Sequence, residues 1–263
     1  MNPAGFETMN INTKLVLAIL ALLLIAQTAA PQVLPAEDDR PALSRILRER
    51  SQDLAEDRFL LEMSPCYYKY KTDTGDWLNT GLFFKAKVAP AWEIGIGSDF
   101  LSYQSPDFGL SDLYAGAKWT FYAKQDWTMA LSGYVLFPTG DKAFREPGIE
   151  PTLTLLISRT LGAWEVGLSV GSTYAADEQG DPNYLDLEMG IEVDYTPDAK
   201  NSFSVFSSGY GPDQRVDGSP RFLVGTSYTR SLTDHQSLGI MLMKGLSGSG
   251  MDWSSVLTYS ITF

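Results

Sequence analysis

The stretch Y-L-D-L-E-M-G-I-E-V-D-Y, Tyr184 to Tyr195, decides the fold. Leu185, Leu187, Met189, Ile191, Val193 and Tyr195 stand on odd positions, and Asp186, Glu188, Glu192 and Asp194 on even ones. A strand sends successive side chains to opposite faces, so this segment has one continuous apolar face and one face with four carboxylates. Three surroundings suit such a strand: a catalytic carboxylate set, a metal site, or a wall between an apolar medium and water.

The same alternation recurs along the chain. Apolar residues take one parity in segments of roughly 10 residues, the pattern of transmembrane strands. Trp92, Ile94 and Ile96 oppose Glu93, Gly95 and Gly97, while Leu113, Ala115, Ala117, Trp119 and Phe121 oppose Asp112, Tyr114, Gly116, Lys118 and Thr120. It continues through Trp127–Phe137, Leu153–Ile157, Trp164–Val170, Phe203–Val205, Phe222–Tyr228, Leu238–Leu242 and Trp253–Phe263. With Leu82, Phe84 and Val88, and a weaker first strand near Met63 to Lys71, the count is about 12, an even number as bacterial barrels require.

Connections alternate in length. Residues 72–79, 102–110, 138–150, 175–183 and 211–220 are long and rich in Gly, Pro, Asp and Asn; the links near Pro90, 123–125, 161–163, 196–200 and 232–235 are short. Short periplasmic turns and long external loops are the rule in such barrels, which puts both termini on the periplasmic side. Turn register gives a further expectation: Lys87 opposite Glu93, Phe121 opposite Trp127, Trp119 opposite Met129, Ile157 opposite Val166 and Leu155 opposite Leu168. A soluble β-sandwich also alternates, but its polar face would carry many Lys, Glu and Thr, whereas Gly, Ser and Ala are frequent here. The expected fold is therefore all-β, a transmembrane antiparallel up-and-down barrel of outer-membrane type, over residues 61–263.

The N-terminal region fits export. Leu15 to Ala26 is an apolar run after Lys14, too short to span a bilayer and followed by Q-T-A-A, so residues 1–30, or up to 36, read as a secretory signal peptide. Residues 31–60 form a charged periplasmic linker or short helix, with Leu43, Ile46, Leu47 and Leu54 at helical spacing. The expected location is the bacterial outer membrane, with its lipids as partners. Net charge −12 and pI near 4.5 exclude a nucleic-acid partner, since nothing would neutralise a phosphate backbone. The single cysteine, Cys66, cannot form an intramolecular disulfide.

S-D-L-Y-A-G-A-K-W (Ser111–Trp119), L-F-P-T-G-D (Leu136–Asp141) and P-T-L-T-L-L-I-S-R-T-L-G (Pro151–Gly162) resemble the outer-membrane family labelled for the meta-pathway of phenol degradation. The resemblance implies a transporter-like barrel that passes hydrophobic or aromatic compounds. The closing strand that ends in Phe263 resembles the C-terminal signal by which the barrel-assembly machinery recognises its clients.

Chemistry is weighed against this frame. The only histidine, His235, falls in a short turn without a placed serine, so no catalytic residue is expected. The carboxylates two apart on the 184–195 strand lie about 7 Å from each other, within glycosidase range, but a wet lumen gives no apolar pocket to raise one pKa. No ordered ligand spacing appears, so neither metal nor cofactor is expected. Charge on the lipid face is costly, so the charged parity must point inward. Lys85, Lys87, Glu93, Asp112, Lys118, Asp186, Glu188, Glu192 and Asp194 are the candidate lumen-lining residues, with a basic sector and an acidic one. Two functions follow: a channel for passive uptake of small solutes, or a structural or surface-interaction barrel whose loops bind a partner.

Overall fold

A computed structural model describes residues 58–71, 76–175, 184–211, 221–246 and 251–263. The expected signal peptide and nearly all of the 31–60 linker lie outside the described residues. The strands are β1 (Phe59–Tyr70), β2 (Trp77–Ala89), β3 (Trp92–Gln104), β4 (Asp107–Leu110), β5 (Leu113–Lys124), β6 (Trp127–Phe137) and β7 (Glu150–Leu161). They continue as β8 (Trp164–Ala175), β9 (Tyr184–Asp198), β10 (Asn201–Tyr210), β11 (Arg221–Thr233), β12 (Gln236–Gly245) and β13 (Met251–Thr262). Each long strand pairs antiparallel with its neighbours, and β1 pairs with β13, so twelve strands close a barrel without edges. Closure satisfies every ladder group within the sheet, which the membrane interior demands. At the seam the Phe59 N–H donates to the Phe263 carbonyl at 2.8 Å, so the last two residues of the 31–60 segment are strand.

The short extra strand β4 is a departure from the sequence reading. Residues 102–110 were expected to be loop; instead Asp107–Leu110 folds back on Leu101–Gln104 and carries a hairpin beyond the barrel. Its residues lack the long alternation, and only their pairing to β3 makes them strand.

The decisive stretch sits as its pattern demands. On β9, Leu187 is 57% and Met189 63% exposed, whereas Glu188 between them is 9% exposed. Exposed Leu, Met, Ile and Val over the outer wall form an apolar surface that only acyl chains reward. Where strands meet the short turns, outward aromatics form a girdle: Trp92 stacks on Trp119 at 5.7 Å between ring centroids and Phe59 on Phe263 at 5.8 Å, while Trp164 meets Tyr195 at a tilt at 4.5 Å. Tyr67 and Trp253 meet at 5.0 Å nearer the loops. Two such belts match the interfaces of a bilayer.

Register differs from expectation at two turns and agrees at one. Lys87 pairs with Glu93 as expected. Trp119 pairs with Leu131 rather than Met129, because the β5–β6 turn is tighter and a bulge lies between Thr120 and Tyr122. Ile157 pairs with Leu168 and Leu155 with Val170, since Leu161 and Trp164 already face each other across a two-residue turn. Phe121, expected opposite Trp127, falls at the bulge, and Trp127 pairs with Lys124; beyond the bulge and on β7–β8 the shifts are by two residues, so the side chains there keep their faces.

Candidate functional site

The barrel interior is the candidate site, and its wall is built from the inward parity. On β2, β3 and β5, Lys85, Glu93 and Lys118 converge: Glu93 Oε2 lies 3.1 Å from Lys118 Nζ and 3.4 Å from Lys85 Nζ. Glu93 and Lys118 are direct register partners, and their side chains are 2% and 1% exposed. Of the three lysines of the expected basic sector, Lys85 and Lys118 thus form one ion cluster around a single carboxylate. Beside it lie Phe83, Tyr114 and Leu136, with Tyr134 packed against them. Glycines on the same parity give these rings their seats. A Cβ on Gly97 would come within 2.6 Å of the Tyr114 ring and 2.7 Å of Phe83, and one on Gly95 within 2.8 Å of Phe83. The Gly-rich inward face is therefore the complement of inward aromatics, a role that the alternation alone did not reveal.

Towards the long loops the lumen is filled by a second packed cluster that includes Tyr68, Trp77, Phe206, Tyr210, Met243 and Phe144. Phe144 comes from a loop rather than a strand, and its ring meets the Trp77 ring edge-on at 5.7 Å. Two carboxylates hold that loop. Asp112, 4% exposed, accepts the N–H groups of Gly140 and Glu146, both at 2.7 Å. Asp141 accepts the Leu110 N–H at 2.7 Å and donates its own N–H to the Leu110 carbonyl at 2.8 Å. Asp112 is thus buried with both its oxygens engaged by loop amides. Phe144 and the inward aromatics were missed by sequence reasoning; the available signal was that Tyr68 and Phe206 sit on the parity opposite to the outward residues of their strands.

The β9 acids do not form one site. Glu188 accepts the Thr154 hydroxyl at 3.0 Å. Asp194 accepts a hydrogen bond from the Ser204 hydroxyl, Glu192 lies two residues before it on the same wall, and Asp186 stands towards the loops. Lys87 is half-buried at the turn end, in register with Glu93. Towards the turns the lumen opens into two wells. One, of about 300 Å³, is lined by Glu165, Glu192, Asp194, Asn201 and Ser202. The other, of about 430 Å³, runs from Arg58 and His235 up to Cys66, Tyr68, Lys85 and Met243. They share Thr229, Ser231 and Ser237, part of a hydroxyl-rich wall on β10–β13. His235 is exposed in the β11–β12 turn, where its backbone N–H donates to Thr233. Among the described residues no group of three or more His, Cys, Asp and Glu could hold a metal ion.

With this geometry established, similarity to other proteins can be read. The family described as "Putative MetA-pathway of phenol degradation" matches residues 53–263. The chain belongs to this family. Its match extends over the whole barrel, beyond the motifs between Ser111 and Gly162 that carried the resemblance in sequence. No curated protein matches the sequence. Among solved structures, an outer membrane channel from Pseudomonas putida F1 superposes with TM-score 0.62 at 14% identity, covering 86% of this chain and 100% of that one. The NanC porin superposes at 0.59 with 12% identity, covering 76% and 98%, and the KdgM porin at 0.55 with 7% identity, covering 77% and 99%. At such identities the likeness concerns the fold: a closed twelve-strand barrel of the bacterial outer membrane, seated in its lipid.

Proposed function

We propose that this barrel is an outer-membrane channel for passive uptake of small hydrophobic or aromatic solutes. The observation that carries the reading is the two-part lumen. Its loop half is lined by rings and thioethers, Tyr68, Trp77, Phe206, Tyr210 and Met243, and its turn half opens into wells lined by hydroxyls and acids. Small-molecule sites are mostly apolar with a few placed polar groups, whereas filters for ions are rings of charge or carbonyls. A ring-bearing solute would enter from the loops when Phe144 moves aside, lose its hydration against the aromatic wall, and leave through the wells towards the short turns, the periplasmic side in barrels of this type. Of the candidate lining residues, Glu192 and Asp194 border the smaller well and Lys85 the larger one. In this reading they set the field at the exit, while Glu93 and Lys118 brace the wall.

The test is transport by the purified barrel in lipopolysaccharide-containing bilayers, with protein-free bilayers as blank. Accelerated entry of 4-hydroxybenzyl alcohol, with ion conductance well below that of an open porin, is expected. A barrel impermeable to both solute and ions would overturn the reading.

A further inference from the structure

The cluster at the loop end holds an aromatic ring that does not belong to the wall. Phe144 reaches it from the 138–149 loop through a three-residue 3-10 turn, Lys142–Phe144, and is 5% exposed there. A phenyl ring neither donates nor accepts a conventional hydrogen bond. In the same buried region, Trp77 Nε1, the Tyr210 hydroxyl and both polar atoms of Asn79 have no hydrogen-bond partner among the described residues. All three residues are deeply buried, at 5%, 8% and 1% exposure, and Asn79 pairs in register with Cys66 of the same cluster. Buried polar groups are almost always satisfied, and leaving one unpaired is costly. The wall therefore fits the shape of a ring but lacks the polar group that would complete it. Charge does not favour an ion, because the register neighbours of Tyr210 are Glu188 on one side and Arg221 on the other, of opposite sign.

We infer that Phe144 stands in for the ring of a passing solute: the loop-end lumen is a binding site for a neutral monocyclic solute with one hydroxyl or amide group, and the 138–149 loop competes for it. The inference rests on the channel reading above and adds to it a located site, its selecting residues and an internal competitor. Trp77 Nε1–H and the Asn79 amide would bind the polar group, the Trp77 and Phe206 rings would receive the ring, and the loop would return when the solute leaves.

The experiment is calorimetric titration of the barrel in lipid nanodiscs with p-cresol and with toluene, which differ by one hydroxyl, using empty nanodiscs as blank. Phe144→Ala is expected to raise affinity for both. On that background Trp77→Phe, which keeps a ring and removes the N–H, is expected to weaken p-cresol about tenfold and leave toluene unchanged. Asn79→Leu gives a second readout should Trp77→Phe not yield a heat-modifiable barrel. Phe144→Ala without effect, or p-cresol and toluene changing together in both polar variants, overturns the site. Transport by the wild-type barrel with no such pattern leaves the channel standing and removes the site; binding as expected without transport does the reverse.

Discussion

Replacing Glu93 with Gln removes the one carboxylate between two buried ammonium groups, and the outcome reports whether that sector of the lumen is dry. The N–O distances are 3.1 Å to Lys118 and 3.4 Å to Lys85, and the side chains of the three residues are 7% exposed or less. At an effective dielectric of about 20, each such contact is worth about 5 kcal/mol of attraction, most of it offset by desolvation of the ions. Deleting the shared partner leaves that desolvation uncompensated and sets two like charges against each other, for a loss of about 3–5 kcal/mol. A solvated cluster would lose less than about 1 kcal/mol. The assay is reversible urea unfolding from phospholipid vesicles, followed by tryptophan fluorescence. The triple variant Lys85→Met, Glu93→Leu, Lys118→Met, which removes all charge, should recover most of the loss, because buried ion clusters rarely outperform apolar packing. A Glu93→Gln variant within about 1 kcal/mol of wild type would refute the reasoning and mean that water reaches the cluster.

Further outcomes are expected elsewhere. Asp112→Ala strips two loop N–H groups of a charged acceptor, worth about 1.5–3 kcal/mol each, so amide exchange at Gly140 and Glu146 should accelerate and ion current should rise; unchanged exchange would remove the latch. Gly116→Ala drives a methyl into the Gly133 carbonyl oxygen and the Tyr134 ring, and should cost about 2 kcal/mol in the same unfolding assay because the carbonyl belongs to the sheet and cannot yield. Asp186→Asn with Glu188→Gln should reduce cation preference in bilayer recordings; unchanged selectivity would take these acids out of the pathway.

What could be read in the sequence was whatever depends on parity. The 184–195 strand could be oriented because a charge facing acyl chains is penalised at each of Asp186, Glu188, Glu192 and Asp194, and the register shifts of two at Leu131 and Leu168 leave that argument intact. Particular side-chain contacts were not legible. Lys85, Glu93 and Lys118 share a parity with many residues, and only the register of β3 with β2 and with β5, which the β4 hairpin interrupts, brings these three to one point. Asp112 is buried, and its partners lie 28 and 34 residues away in a loop without periodicity. Phe144 lies in that same loop, and the β4 hairpin was invisible for the same reason: four residues are too few for an alternation to show.

The central claim, that the lumen is a passage, is tested most directly by transport across lipopolysaccharide-containing bilayers carrying the wild-type barrel. The account predicts that 4-hydroxybenzyl alcohol equilibrates faster than across protein-free bilayers while ion current stays small. Equal rates with and without the protein, together with no current, would contradict it.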